Sequence, residues 1–407
     1  MKKLFAISLA AVLGFNLFAA PLNQTDKNWK TMINETVVDK GSNARLKKVI
    51  EKLRNGETVY VCGLGGSVTE GAGPADFHDG YIYQFQKLLA EKYANSADQV
   101  VLDGAGLGGT PSPLGLIRYD QDVIADLGGH KPDVLVIEFS VNDWLECSKG
   151  RAFEALIRRG LEDNPDCAVI ALYATATYAN QQDWMIPIAS HYSIPQVSIR
   201  NAIDKRIESG EVKKDDYFAD YAHPKKDGHT FMANCLLNIF EIADKESLAK
   251  SEIPAHWKLA NPLKKFRTIT GTDGRVIVER GSFSEKDNAT QNSLKKGKGN
   301  FPMNWHHPYG NNGAANEPLK ITLKCKAFIL VFKENAASPT KPFGNAQVYV
   351  DGKLVKTCDP TNKGWNNCNV SMIIDETEVK EHVIEIKMAP GSEKKAFTVV
   401  AMGYSAD

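Results

Sequence analysis

Thr58-Val59-Tyr60-Val61-Cys62-Gly63-Leu64-Gly65-Gly66-Ser67-Val68-Thr69-Glu70-Gly71 is the stretch that decides the fold. Its first half is a nearly unbroken apolar run, the mark of a strand buried on both faces of a parallel sheet. Its second half is a glycine-rich turn that carries a serine where the strand ends. Outward from this stretch the chain alternates. Tyr81 to Tyr93 reads as a helix, Val100 to Asp103 as a strand, Leu114 to Leu127 as a helix and Val134 to Phe139 as a central strand. Ala152 to Leu161 is helical in pattern, Ala168 to Tyr173 and Val197 to Ile199 are strands, and Gly228 to Ala243 is a closing amphipathic helix. Upstream, about Asn23 to Asn55 reads as largely helical, with Leu46, Val49, Ile50 and Leu53 on one stripe. Strands and helices in this alternation predict an α/β domain with a parallel sheet covered on both faces, three layers in all.

The pattern changes after about Ser251. Trp257 to Pro262 reads as a linker, and beyond it strands and turns replace helices. Gln347 to Val355 is a hairpin with Asp351-Gly352 at its turn, residues suited to the two positive-φ positions of a type I′ turn. His382 to Met388 and Phe397 to Met402 read as further strands, so this half is expected to be an all-β sandwich of the jelly-roll kind. The division expected is residues 1–20 as a signal peptide, 21–256 as the α/β domain, 257–265 as linker and 266–407 as the β-sandwich.

Composition narrows the function. The 407 residues carry 49 Lys and Arg against 49 Asp and Glu, so no basic excess is available to grip a phosphate backbone, and nucleic-acid binding is not expected. Lys2-Lys3, the apolar run Leu4 to Phe18 and the small pair Ala19-Ala20 have the layout of a cleavable export signal. No later stretch is long and apolar enough to span a bilayer, so a secreted or periplasmic protein without stable membrane insertion is expected. Export permits disulfides, and among the seven cysteines Cys358 with Cys368 is the first candidate pair and Cys147 with Cys167 the second.

Four short blocks supply what acyl transfer needs. Ser67 offers a hydroxyl nucleophile, and His223 in Asp220-Tyr221-Ala222-His223-Pro224 can take its proton. Asp220, three residues earlier in the same loop, can hold the imidazole in the right tautomer. Gly106 in Gly104-Ala105-Gly106 and Asn142 in Ser140-Val141-Asn142-Asp143 offer N–H donors to an oxyanion, together with the N–H of Ser67. Each block follows a strand, on the side of an open α/β sheet where ligands bind.

Other readings attach to the same residues. Ser67 can be a helix N-cap and Asn142 a turn cap, while Asp143 is expected to be structural. Gly104 to Gly109 satisfies a dinucleotide fingerprint, with Asp122 and Asp126 near the ribose offset, but Pro111 and Pro113 delay the helix that would face a pyrophosphate. His223, Asp227 and His229 lack the compact spacing of a zinc site, and adjacent His306 and His307 on a strand would face opposite sides. Trp144 is a candidate pocket wall, and Trp305 and Trp365 candidate sugar platforms, with core packing the simpler role for the last two. No metal or organic cofactor is expected.

The blocks GGSVTEG, GAG, SVND and DYAHP, in this order, resemble the SGNH or GDSL-type hydrolase superfamily. The resemblance implies a flavodoxin-like α/β/α domain with Ser67 as nucleophile, Gly106 and Asn142 in the oxyanion hole, and Asp220 and His223 completing the triad. Asn43 to Leu46, Glu138 to Asp143 and Ile188 to Pro195 are similar to a secreted, carbohydrate esterase-like branch that carries a C-terminal β-sandwich. Ser140 and Gly104 depart from the family's common glycine and asparagine at those block openings. What the resemblance implies is acetyl removal from plant-type polysaccharides or their oligosaccharides. A lipase, a thioesterase or a peptidoglycan O-acetyl esterase on the same fold are alternatives, as is a carbohydrate-binding protein with an idle site. Oligomeric state is not legible.

Overall fold

The computed structural model describes residue 22 and residues 28–143, 148–178, 180–295, 299–310, 316–334, 336, 340–361 and 368–406. The expected signal segment, Trp144, Cys147 and Trp365 lie outside the described residues.

The first sheet has six strands: β1 (Val37–Asp39), β2 (Val59–Gly65), β3 (Val100–Gly106), β4 (Val134–Glu138), β5 (Ala168–Tyr173) and β6 (Gln196–Ser198). Their spatial order is β1-β6-β5-β4-β2-β3. All neighbours are parallel except β1, which pairs antiparallel with β6 at the edge. Counted without β1, the parallel strands run 2-1-3-4-5, the flavodoxin-like order, and the direction of winding reverses at β2. The residues that follow β2 therefore sit at the switch point.

Alternation along each strand builds the three layers. Val134 and Val136 of β4 join one core, with the helices Ala44–Arg54, Tyr81–Tyr93 and Lys226–Lys245. Leu135 and Ile137 join the other, with the helices Ser112–Ile117, Arg151–Asp163 and Gln182–His191. β5 divides the same way, with Ile170 and Leu172 on one face and Val169 and Ala171 on the other. Two faces buried at once explain why these strands read as unbroken apolar runs.

The second sheet is all antiparallel, with eight strands in one hydrogen-bonded system: β7 (Arg267–Thr268), β8 (Val276–Glu279), β9 (Trp305–His307), β10 (Leu319–Lys333), β11 (Ala346–Val350), β12 (Lys353–Cys358), β13 (Cys368–Met388) and β14 (Phe397–Ser405). β10 and β13 are long, and their pairing shifts register between Cys325 and Ala327 and between Phe328 and Ile329. Such irregularities bend a long strand pair. Val350 pairs with Lys353 across Asp351 and Gly352, whose φ values of +51° and +78° are those the type I′ turn requires.

This sheet is fastened directly to the first domain. Ala327, Ile329 and Val331 of β10 and Val400 and Ala401 of β14 share a core with Leu114, Ile117, Phe153 and Leu156. The intervening Phe328, Leu330 and Phe332 form a separate core on the other face, with Trp305, Ile384 and Phe397. Buried Glu154 accepts from Tyr192 Oη (2.6 Å), from the N–H of Lys258 (2.5 Å) and from Asn261 Nδ2 (3.1 Å), pinning the connecting segment. Arg151 grips Asp375 with two bonds of 2.7 and 2.8 Å.

The cysteine expectation is corrected. Cys358 and Cys368 are both buried and unbonded. Cys358 pairs with Ala346, itself opposite Met388 at the far end of β13, while Cys368 begins β13 opposite Lys333. They also lie in different cores. Cys167 is free as well.

Candidate active site

Gly65, Gly66 and Ser67 make the turn from β2 into a one-turn helix, Ser67–Glu70. Each glycine is required by close approach. A Cβ on Gly65 would lie 2.1 Å from Thr69 Oγ1 and 2.5 Å from the carbonyl oxygen of Glu138, and one on Gly66 would lie 2.0 Å from Asn142 Oδ1. Ser67 is thus lifted out at the carboxyl end of the sheet, with the Asn142 amide packed over the preceding residue.

His223 arrives from a loop after the last strand. The Asp220 carboxylate organises that loop: Oδ1 accepts the N–H of Ala222 (2.8 Å) and of His223 (2.9 Å), and Oδ2 bonds the His223 ring at Nδ1 (2.7 Å). The other ring nitrogen, Nε2, lies 2.8 Å from Ser67 Oγ. Serine, imidazole and carboxylate therefore form one unbroken chain of hydrogen bonds. Burial raises the Asp220 pKa, but the bonds from the His223 ring and from two backbone N–H groups outweigh it and hold the carboxyl below its ordinary range. A fixed carboxylate on Nδ1 leaves Nε2 as the acceptor that can take the serine proton. Gly73, at φ +116°, lets the loop close, since a Cβ there would meet Pro224 O at 2.0 Å and His223 Cβ at 3.3 Å.

Asn142 follows β4 and is wholly buried. Its Nδ2 and Oδ1 make no hydrogen bond among the described residues, which leaves the amide as an uncommitted donor beside the serine turn. Neighbouring Asp143 is structural in its contacts, accepting the N–H of Ser112 at 2.6 Å. Burial pushes its carboxyl up to about 7. Beneath the turn, Thr69 Oγ1 bonds Glu138 Oε2 (3.1 Å) and Tyr81 Oη (2.9 Å), and burial pushes Glu138 up to about 8.

Gly106 sits inside β3, under the Ser67–Glu70 helix, where a Cβ would lie 2.1 Å from Glu70 N. Just beyond the end of β3, the Leu107 N–H bonds across to Gly65 O (3.1 Å). The glycine facing Ser67 is Gly108, whose added Cβ would lie 3.7 Å from Ser67 Cβ and whose N–H donates to Glu70 Oε2 (2.8 Å). Sequence reading passed over both Gly108 and Glu70. The signal available was Glu70 itself, an acidic residue one turn after the serine.

The rival readings find other partners. The N–H of Ser112, at the start of the helix that a dinucleotide would need, is occupied by Asp143. Asp122 makes a buried ion pair with Arg118 at 2.8 Å. His229 bonds the N–H of Tyr81 (3.1 Å) and the carbonyl of Ala72 (3.1 Å) through its two nitrogens. His307 is likewise engaged on both nitrogens, by Ser282 Oγ and Glu393 O, each at 3.0 Å. His306 bonds Thr398 Oγ1 at 2.9 Å, and Trp305 is buried in the C-terminal core.

Residues 64–231 match the model of the GDSL-like Lipase/Acylhydrolase family. Among solved structures, a two-domain esterase (CEX) active on acetylated mannans is similar over 92% of this chain and 98% of its own, with 23% identity and a TM-score of 0.75. The same esterase co-crystallized with mannopentaose gives the same values. The likeness extends across both sheets and is one of fold. No curated protein matches this chain.

Proposed function

We propose, from the premise that residues 64–231 are a GDSL-like lipase/acylhydrolase domain, that this chain is an exported serine esterase that removes acetyl groups from carbohydrate esters. Ser67 Oγ attacks the ester carbonyl while His223 Nε2 takes its proton. Asp220 holds the ring and stabilises the imidazolium that forms. The N–H groups of Ser67 and Gly106 and the Asn142 side-chain amide hold the oxyanion. His223 then returns the proton to the leaving sugar hydroxyl, and water attacks the acyl-serine with His223 again as base, releasing acetate.

The observation that carries this reading is the continuous Asp220–His223–Ser67 chain at the switch point of the sheet, with bonds of 2.7 and 2.8 Å. The acetyl and sugar assignment draws support from the likeness to an esterase active on acetylated mannans. Residues 1–20 act as the export signal. Among the described residues no helix is long and apolar enough to cross a membrane. Residues 21–256 form the hydrolase domain, 257–265 the connection and 266–407 the β-domain, and no metal or organic cofactor takes part.

Acetate release from acetylated mannan, xylan and pectin, each beside the Ser67→Ala protein, tests the substrate. Ser67-dependent release from at least one of them is expected. Turnover confined to long acyl chains, thioesters or O-acetylated peptidoglycan would replace the substrate class.

A further inference from the structure

Glu70 has no place in the mechanism above, yet it is among the most committed side chains near Ser67. It is 5% exposed, so its charge is held nearly out of water. Its two oxygens are divided between two regions of the molecule. Oε2 accepts the N–H of Gly108 at 2.8 Å, in the turn beside the nucleophile. Oε1 accepts the N–H of Leu294 at 2.5 Å, a residue that precedes β9 and belongs to the C-terminal half. The next residue, Lys295, closes an ion pair on Asp103 of β3, the strand that leads into the same turn. A short stretch of the C-terminal half thus touches β3 at its middle and, through one carboxylate, the turn at its end.

We propose that Glu70 is a positioning residue. It fixes the peptide plane of Gly108 beside Ser67 and makes that orientation depend on docking of the segment at Leu294. The inference rests on the esterase reading and deepens it. A glycine has no side chain to restrain its peptide, so without an acceptor the turn samples orientations that no longer present its backbone dipoles to the reacting carbonyl. An ionised acceptor bonds an N–H more strongly than a neutral one, and two N–H donors are what a buried carboxylate needs in order to remain there. Gln has a single side-chain oxygen and can satisfy one of the two N–H groups while turning its NH₂ toward the other. Ala satisfies neither.

The test uses the full mature chain with Glu70→Gln and Glu70→Ala. Three quantities are measured: kcat and KM on 4-nitrophenyl acetate, the rate of Ser67 labelling by a fluorophosphonate followed by mass, and thermal unfolding. Loss of one preorganised donor costs about 10²–10³ in kcat, so misplacement of the turn is expected to lower kcat by about 10²-fold in Glu70→Ala and by a smaller factor in Glu70→Gln. KM is expected to stay within about threefold, because ground-state binding does not use the oxyanion donors. Labelling rates are expected to fall in the same order. A Glu70→Ala protein whose kcat and labelling rate both lie within threefold of the parent overturns the proposal. So does a loss in either variant that tracks the fraction unfolded at the assay temperature. A parent chain that labels at Ser67 but cleaves no acetyl ester overturns the acetyl reading instead, and the labelling series then decides the role of Glu70.

Discussion

Replacing Glu138 by Gln should stabilise the protein at alkaline pH and leave it unchanged in mild acid. Glu138 ends β4 directly under the serine turn and is wholly buried. Its Oε2 bonds Thr69, and its Oε1 has no partner among the described residues. Burial, aided by the nearby Asp143 carboxyl, pushes it from an ordinary 4.5 up to about 8. A carboxyl with a raised folded pKa stabilises fully below its unfolded value, and that contribution is lost as pH rises through the folded one. Between pH 5 and pH 8 the shift corresponds to about 3 kcal/mol of lost stability, an upper bound in order of magnitude. The glutamine side chain keeps the shape and an oxygen to accept from Thr69 Oγ1, and has no proton to lose. For a domain of this size 1 kcal/mol moves Tm by about 2–4 °C, so melting curves at pH 5 and pH 8 should show the Glu138→Gln protein gaining several degrees relative to the parent only at pH 8. An equal Tm difference at both pH values would refute a neutral, buried Glu138.

Asn142→Ala should lower kcat by about 10²–10³-fold with KM little changed, measured on an aryl acetate, because an uncommitted buried amide acts when charge develops. Gly73→Ala forces a Cβ to within 2.0 Å of Pro224 O, so the loop carrying His223 must shift; kcat should drop by about 10²-fold while the far-UV spectrum is kept. Cutting the chain after residue 260 removes Phe266, Ile329, Val331 and Val400 from the core they share with Ile117 and Phe153. The fragment 21–260 should aggregate or melt at least about 10 °C below the mature chain, since fully burying each such side chain contributes about 1.5–3 kcal/mol. A fragment as stable and as active on an aryl acetate as the whole would show the β-domain to be independent.

How much was legible in the chain depends on how local each feature is. Asp220 and His223 lie in one loop and Ser67 in one turn, so the grouping of these three side chains was legible in the blocks that carry them. The parallel strands were legible because burial on two faces writes an unbroken apolar run, as in Val134 to Ile137. β1 was not, because Val37-Val38-Asp39 is three half-buried residues whose pairing with β6 comes from far along the chain. The segment expected as one helix from Leu114 to Leu127 is two, Ser112–Ile117 and a wider-wound stretch Asp120–Ala125, broken where buried Arg118 turns back to the carbonyls of Ala105 and Gly65. Docking of the β-domain left a trace that was readable: β10 alternates up to Lys326 and then runs Ala327 to Phe332 without a break. The alternating stretch has one buried face, whereas the unbroken stretch is buried on both. Glu70 was visible as an acid one turn after the serine, but its bond to Leu294 was not legible, because that contact joins residues 224 apart in sequence.

Ser67 as the nucleophile of an ester hydrolase is the point on which the whole mechanism turns. It is tested by intact-mass analysis of the mature chain after a fluorophosphonate, with acetate release from acetylated mannan measured on the same preparation and on Ser67→Ala. One adduct, mapped to Ser67, is expected, with acetate release abolished both by the adduct and by the substitution. A folded Ser67→Ala protein that releases acetate at the parent rate would contradict it.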